Sequence, residues 1–461
     1  MLLKKIDLIE GNIGTSLIRL ALPIMGTSFI QMAYNMTDMI WIGRVGSKSV
    51  AAVGTAGFFT WLSMAFVLIS KIGAEVLVSQ FTGKKDEKSV KKYIVTSLQI
   101  NIILAIIYTF VLVIFKSSLI SFFNLGDIEV ISMAETYLSV VGIGIIFSFL
   151  NPVFTAIFNG TGNSKIPFLI NTIGLIFNII FDPVLIFGVG PFPKMGVKGA
   201  AVATVLAQAV VTGCFLFAMY KSEERAFKVN IFSKIDFKYA RDIVKIGIPV
   251  AFQNGLFTLF SMLIARIIAV WGPTPIAVQK VGSQIEAISW MTAGGFSTAL
   301  SAFVGQNYGA KKYDRIRKGY FYTLAMASLV GILATMLLVF GGKYIFGFFI
   351  PEKEAIEYGV VYLRILGYSQ LFMCIEITTA GAFNGLGKTL FPSIISILFT
   401  GLRVPAAKIL SSKDMLGLNG IWWSISISSV MKGIVLTLVF LILLKANKLY
   451  KIEDYNYENA I

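Results

Sequence analysis

The chain has 461 residues, of which 56% are hydrophobic and only 14% charged, with a mean hydropathy of +0.79. A soluble domain averages about 25% charged residues, which argues against a soluble fold, and the lack of histidine with only two cysteines removes most hydrolytic triads and zinc sites. The formal net charge of +16 has no soluble basic face to carry it, so it points to basic cytoplasmic loops rather than to nucleic acid.

Apolar runs of spanning length recur from end to end. In chain order they predict twelve membrane helices near 17–43, 50–80, 91–115, 131–159, 166–188, 199–220, 242–270, 276–307, 319–347, 356–384, 390–410 and 418–444. The fold class is therefore an all-α polytopic membrane protein. A transmembrane barrel would show shorter segments of alternating polarity. The segment before the first run, "MLLKKIDLIEGN", is polar and does not read as a cleaved signal peptide.

The basic residues sort by loop. "GKKDEKSVKK" follows span 2, "KSEERAFKVNIFSKIDFKYAR" follows span 6 and "GAKKYDRIRK" follows span 8, while Lys4, Lys5, Lys445, Lys448 and Lys451 mark the ends. The opposite side carries scattered ones such as Arg44, Lys116, Lys194 and Lys343. This asymmetry puts both termini and the span 6–7 loop in the cytoplasm, and the expected location is the inner (plasma) membrane.

The chain repeats itself. "LIRLALPI" at 17 aligns with "IVKIGIPV" at 243, "VSQFTGKKDEKSVKK" at 78 with "VGQNYGAKKYDRIRK" at 304, "FNGTGNSKIPFLI" at 158 with "FNGLGKTLFPSII" at 383, and "GVKGAAVATV" at 196 with "GLNGIWWSIS" at 417. An even number of spans per copy keeps both copies in one orientation, so the pseudo-two-fold lies along the membrane normal. The expected organisation is an N-terminal lobe over 1–220, an inter-lobe loop over 221–241 and a C-terminal lobe over 242–461. Such a pair can rock by alternating access.

Inside this apolar frame, "SFIQMAYNMTDMIWIG" carries an acid. A carboxylate at membrane depth costs about 2.5–3.5 kcal/mol on insertion scales, and its default reading is functional. Gln31, Tyr34, Asn35 and Asp38 share one helix face. Asn171, Asn178 and Asp182 form a second stripe on span 5, Thr204 and Gln208 a third on span 6, and span 4 offers Tyr137 and Asn151. Carboxylates with amide and hydroxyl oxygens suit Na⁺ or a proton. For Asn171, Tyr137 and Gln208, interhelical hydrogen bonding is the competing interpretation. The repeat does not copy the acids: Asp38 aligns with Ile264, Asp182 with Ala407, Asn178 with Arg403 and Thr204 with Ile425. Asn151 aligns with Glu376, so the second lobe has charges of its own; Glu376 and Arg403 either line a cavity or pair with each other. Arg266 and Glu286 flank the "WGPTP" turn and are expected to snorkel to the interface. Pro23, just ahead of the first stripe, is the candidate hinge.

"QMAYNMTDMIWIGRVG", "FNGTGNSKIPF", "NIIFDPVLIFG", "GVKGAAVAT" and "VGQNYGAKK" resemble the multidrug and toxic compound extrusion (MATE) transporters, over essentially the whole chain. "YNMTD" and the Asn-x-x-x-Asp of span 5 look like the DinF-like branch. The resemblance implies that Asp38, Asn178, Asp182 and Thr204 form the coupling site and that Tyr34, Tyr137 and Asn151 line the N-lobe cavity. It implies export of organic, often cationic and lipophilic drugs against inward Na⁺ or H⁺, with no cofactor, no enzymatic activity and no nucleic acid. The expected substrate cavity comprises Gln31, Tyr34, Asn35, Tyr137, Asn151, Asn171, Glu376 and Arg403. The expected partners are small-molecule drugs and membrane lipid, and the protein is expected to act as a monomer. A lipid-linked precursor flippase of the same superfamily is the alternative.

Overall fold

The computed structural model describes residues 5–349, 352–412, 414–446 and 449. Lys4, Lys448 and Lys451, counted above among the basic termini, lie outside the described residues.

The described chain is helical: α1 Ile13–Val45, α2 Ser47–Gly83, α3 Glu87–Ile114, α4 Lys116–Ser121, α5 Ile128–Gly160, α6 Lys165–Phe187, α7 Gly196–Lys221, α8 Phe237–Ala269, α9 Pro273–Gly309, α10 Tyr313–Phe349, α11 Lys353–Gly367, α12 Gln370–Gly385, α13 Leu390–Leu410 and α14 Leu418–Lys445. Eleven are long and apolar enough to span a bilayer, or twelve with α11 and α12 counted as one bent span. Two features differ from expectation. The short α4 was not anticipated, and span 10 is not a single rod but two helices meeting at 47°. The break exposes carbonyls that side chains then satisfy. Leu366 O accepts from Ser369 N (3.1 Å), Ser369 Oγ (2.9 Å) and Gln370 Nε2 (3.2 Å). Gly367 O accepts from Thr335 Oγ1 at 2.9 Å, and Ile365 O from Ser426 Oγ at 2.9 Å. In hydrocarbon each such group left bare costs several kcal/mol, so the bend exists only because these hydroxyls reach it.

The chain forms two compact units. One comprises Leu22–Ala251 with the described residues before Asp7; the other comprises Asp7–Ala21 with the described part of Phe252–Ile461. Both α1 and α8 are thus divided between units. Within the first, α2 packs along α5, α3 against α5 and α6 against α7. Within the second, α9 packs along α12, α10 against α12 and α13 against α14, the same pairings one repeat later. The duplication extends to backbone detail. Lys85 (φ 60°) and Lys311 (φ 57°) are both left-handed at the turn after the second helix of each copy, a conformation that costs a non-glycine residue energy. A Cβ on Gly160 would approach Glu75 O to 3.0 Å, and one on the equivalent Gly385 would reach Ser301 O at 2.5 Å. The two helices approach closely in both copies, tightly at Gly160 and at Gly385 to a distance that only glycine permits.

The first unit has two large apolar clusters, one around Phe154, Phe158 and Phe215, the other around Phe149, Tyr108 and Tyr137. The second is built around Tyr362, Phe346 and Trp422. Each unit also grips a segment preceding a crossing helix. In the first, Gln99 Nε2 donates to Ile231 O (2.8 Å) and Ser233 O (2.7 Å), and Lys92 pairs with Asp236 at 2.8 Å. In the second, Arg315 Nη2 donates to Leu8 O (3.2 Å) and Gly11 O (2.7 Å), Asn307 Nδ2 to Leu8 O (2.9 Å) and Lys312 Nζ to Ile9 O (3.3 Å).

Candidate functional site

In the first unit, α6 supplies Asn178 and Asp182 one turn apart, both fully buried. Asn178 Nδ2 donates to Asp182 Oδ1 at 3.0 Å. Asp182 Oδ2 and Asn178 Oδ1 have no hydrogen-bond partner among the described residues. Pro183 follows directly and has no N–H to give the carbonyl of Ile179, so the helix ladder is weakened beside the acid. From α1, Asp38 comes within interaction range of Asp182, Asn178 and Thr204, and its Oδ1 is buried without a hydrogen-bond partner among the described residues. Tyr34, one turn earlier, donates to the Thr204 carbonyl of α7 at 3.4 Å. Tyr137 of α5 is buried near enough for both carboxylates to act on it.

Asp38, Asn178, Asp182, Thr204, Tyr34 and Tyr137, drawn from four helices, therefore meet. The two carboxyl groups lie within interaction range of each other among amide and hydroxyl side chains, and neither forms an ion pair with any lysine or arginine among the described residues. Two like charges at that range need a counter-charge: a proton held between them, or a cation. Among the described residues no three His, Cys, Asp or Glu side chains converge, so the donor set is two carboxylates and neutral oxygens. Such a set suits a hard monovalent ion or a proton rather than a transition metal. The repeat-equivalents Ile264 and Ala407 are ordinary buried core in the second unit.

The other expected site residues lie elsewhere. Asn151 clamps α5 to α7: its Nδ2 donates to Gln208 Oε1 (2.7 Å) and Gln208 O (3.0 Å), and its Oδ1 accepts from Thr212 Oγ1 (2.7 Å). Asn171 turns back on its own helix, donating to Pro167 O at 2.7 Å. Gln31 and Asn35 are exposed. Pro23 sits inside a helix that continues through it, with Thr27 Oγ1 donating to its carbonyl at 3.0 Å.

In the second unit Glu376 and Arg403 are both buried, but Glu376 takes a different partner. Lys432 Nζ of α14 lies 3.0 Å from Glu376 Oε2, while Arg403 Nε donates to Ser428 Oγ at 2.8 Å and Nη2 to Ser429 Oγ at 3.4 Å. Sequence reasoning missed Lys432, although a lone lysine in "SSVMKGIVLTLVF" was a signal in plain view. Glu286 does not snorkel. Tyr362 Oη donates to its Oε1 (2.6 Å) and Gln370 Nε2 to its Oε2 (3.0 Å), and Ser289 Oγ in turn donates to Gln370 Oε1 (2.5 Å). Burying the stem of a short acid among donors on α11 and α12 costs less than stretching it to the interface.

Known proteins share this organisation. The chain is 29% identical over 435 residues to a probable multidrug resistance protein NorM of Thermotoga maritima, covering 93% of this chain and 92% of that protein. It is 23% identical over 439 residues to an FAD transporter of Shewanella oneidensis, covering 93% and 94%. A solved multidrug resistance MATE family transporter of the MOP superfamily, in an outward-facing conformation, superposes with a TM-score of 0.88 at 23% identity over 96% of this chain and 99% of that one, which establishes the two-lobe fold. The MatE family profile matches twice, over residues 23–184 and 249–409, once in each copy of the repeat. With both halves matched, the chain belongs to the MatE family of multidrug efflux transporters, membrane carriers rather than enzymes.

Proposed function

We propose that the protein is a secondary antiporter that exports organic, often cationic and lipophilic compounds against inward Na⁺ or H⁺ by alternating access. The observation that carries this reading is the pair of half-buried Asp38 and fully buried Asp182, with no basic partner among the described residues and absent from the second copy. A charge needed for folding would be balanced by a permanent counter-ion; this one is balanced by something that can leave. Asn178 and Thr204 complete the cation's oxygen ligands, and Gln31, Tyr34 and Asn35 on the same helix as Asp38 face the solute. Cation entry neutralises the carboxylates and repacks α1 beyond Pro23, which lowers affinity for the solute; cation exit restores it. The six-span repeats over 1–220 and 242–461 act as the two lobes, with both termini in the cytoplasm, in the plasma membrane and as a monomer. The flippase alternative is not favoured, since the pair Asp38 and Asp182 argues against a basic cavity in the first unit.

The test is dye efflux from cells and from proteoliposomes. Asp38→Asn is expected to abolish efflux at unchanged membrane abundance; wild-type efflux from that variant refutes the coupling role. Dissipating the Na⁺ and H⁺ gradients one at a time identifies the driving ion.

A further inference from the structure

The geometry points to an oxyanion-binding subsite in the second unit, centred on Arg403 and Thr400 of α13, that takes the carboxylate or phosphate group of a solute. This inference deepens the exporter reading and rests on it only for calling that solute a substrate.

Arg403 is 8% exposed, and Lys432 on the facing α14 is 7% exposed. Lys432 lies close enough for the charge of Arg403 to act on it, and the charges of Glu376 and Glu286 act on Arg403. Two neighbouring cations in an apolar interior are costly unless each has a direct partner. Lys432 has one, Glu376 at 3.0 Å. Arg403 has none: its bonds among the described residues go to the neutral hydroxyls of Ser428 and Ser429. The charges of Glu376 and Glu286 reach Arg403, yet neither carboxylate bonds to it directly: Glu376 pairs with Lys432, and Glu286 accepts from the neutral Tyr362 and Gln370. A guanidinium carries five donors in a planar fork that matches an oxyanion, and two hydroxyls leave most of that capacity unused.

A second observation stands apart from the charge. Thr400 lies three residues before Arg403 on the same buried stripe of α13, 2% exposed, and its Oγ1 has no hydrogen-bond partner among the described residues. Burying a bare hydroxyl is unfavourable and calls for an explanation. One oxyanion receiving donors from Thr400 and Arg403 satisfies both anomalies. The scaffold itself does not require the arginine, because the aligned position in the first copy is the neutral Asn178.

Binding, not transport, tests this. Protein in nanodiscs of zwitterionic phosphatidylcholine is titrated calorimetrically with benzoate, phenyl phosphate and benzyl alcohol. Wild type is expected to bind the two anions at least tenfold more tightly than the alcohol. Arg403→Gln is expected to weaken the anions about tenfold or more, Arg403→Lys less, and the near-isosteric Thr400→Val about threefold. Anion binding is read with no ion gradient, and dye efflux by Asp38→Asn is read separately, so that failure of the coupling site and failure of this subsite give different results. Benzyl alcohol binding as tightly as benzoate, or anion binding unaltered by Arg403→Gln or Thr400→Val, overturns the proposal. So does loss of benzoate binding when phosphatidylglycerol replaces phosphatidylcholine, which would make the occupant a lipid head group rather than a solute. Should Arg403→Gln not fold, Thr400→Val and Arg403→Lys carry the same comparison.

Discussion

Removing one member of the Lys432–Glu376 pair should cost far more than removing both. At 3.0 Å and an effective dielectric near that of partly buried sites, the attraction is about 5 kcal/mol. Desolvating two ions costs several kcal/mol each, so the intact pair is close to neutral relative to two neutral, well-packed side chains. Glu376→Gln leaves an ammonium with 9% side-chain exposure facing an amide and should destabilise by about 3–5 kcal/mol; Lys432→Met should do the same to the carboxylate. The double variant should recover to within about 1–2 kcal/mol of wild type. Arg403, near Lys432, adds to the penalty for losing Glu376, which makes Glu376→Gln the worse of the two singles. Equilibrium unfolding in mixed sodium dodecyl sulfate and maltoside micelles, followed by circular dichroism, measures all three. Additive costs, or singles each below about 1 kcal/mol, would refute the claim that the two charges balance each other.

Asn151→Ala removes the α5–α7 clamp and is expected to destabilise by about 1 kcal/mol, the scale of interhelical hydrogen bonds in membranes, with the KM for dye efflux changing less than twofold; a large rise in KM at unchanged stability would make Asn151 a substrate ligand instead. Gly247→Ala puts a methyl group into the Ile69 carbonyl of α2, so backbone must move and a loss of about 1–3 kcal/mol is expected in the same unfolding assay. Arg315→Ala should raise amide exchange over residues 7–12 by mass spectrometry, because Leu8 O and Gly11 O lose their donor. That latch should also be indifferent to pH in the physiological range. Asp7 is held below the usual carboxylate range, first by the Glu10 N–H, and Asp236 at the other latch by the Lys92 ammonium. A depressed carboxylate contributes fully above its unfolded pKa, about 4, and loses that contribution as pH falls below it. Exchange in both segments should therefore be flat from pH 5 to 8 after correction for intrinsic rate, and rise only in stronger acid.

What was legible in the sequence was periodicity and its breach. Four aligned strings, offset by 221 to 226 residues, foretold a duplicated bundle, and an offset of 226 reappears in the left-handed Lys85 and Lys311. The acids stood out because hydrocarbon makes them expensive, and spacing along α1 and α6 put Tyr34 with Asp38 and Asn178 with Asp182. What failed was pairing between helices distant in sequence. Nothing local says that Glu376 meets Lys432, or that Tyr362 and Gln370 come round to Glu286. The bend between α11 and α12 was equally hidden. It has no proline, and the hydroxyls that make it tolerable, on Thr335 and Ser426, sit in other spans.

The division of α1 and α8 between the compact units has a consequence for how the chain can be taken apart. Cutting the gene in the loop after α7 would not release two complete pieces. The N-terminal product would carry residues 7–21 that belong with its sister, and the C-terminal product would carry 237–251 that belong with the first. Each fragment alone would expose an unfilled berth and an unburied stub, so the halves should be degraded when made singly and rescued when made together.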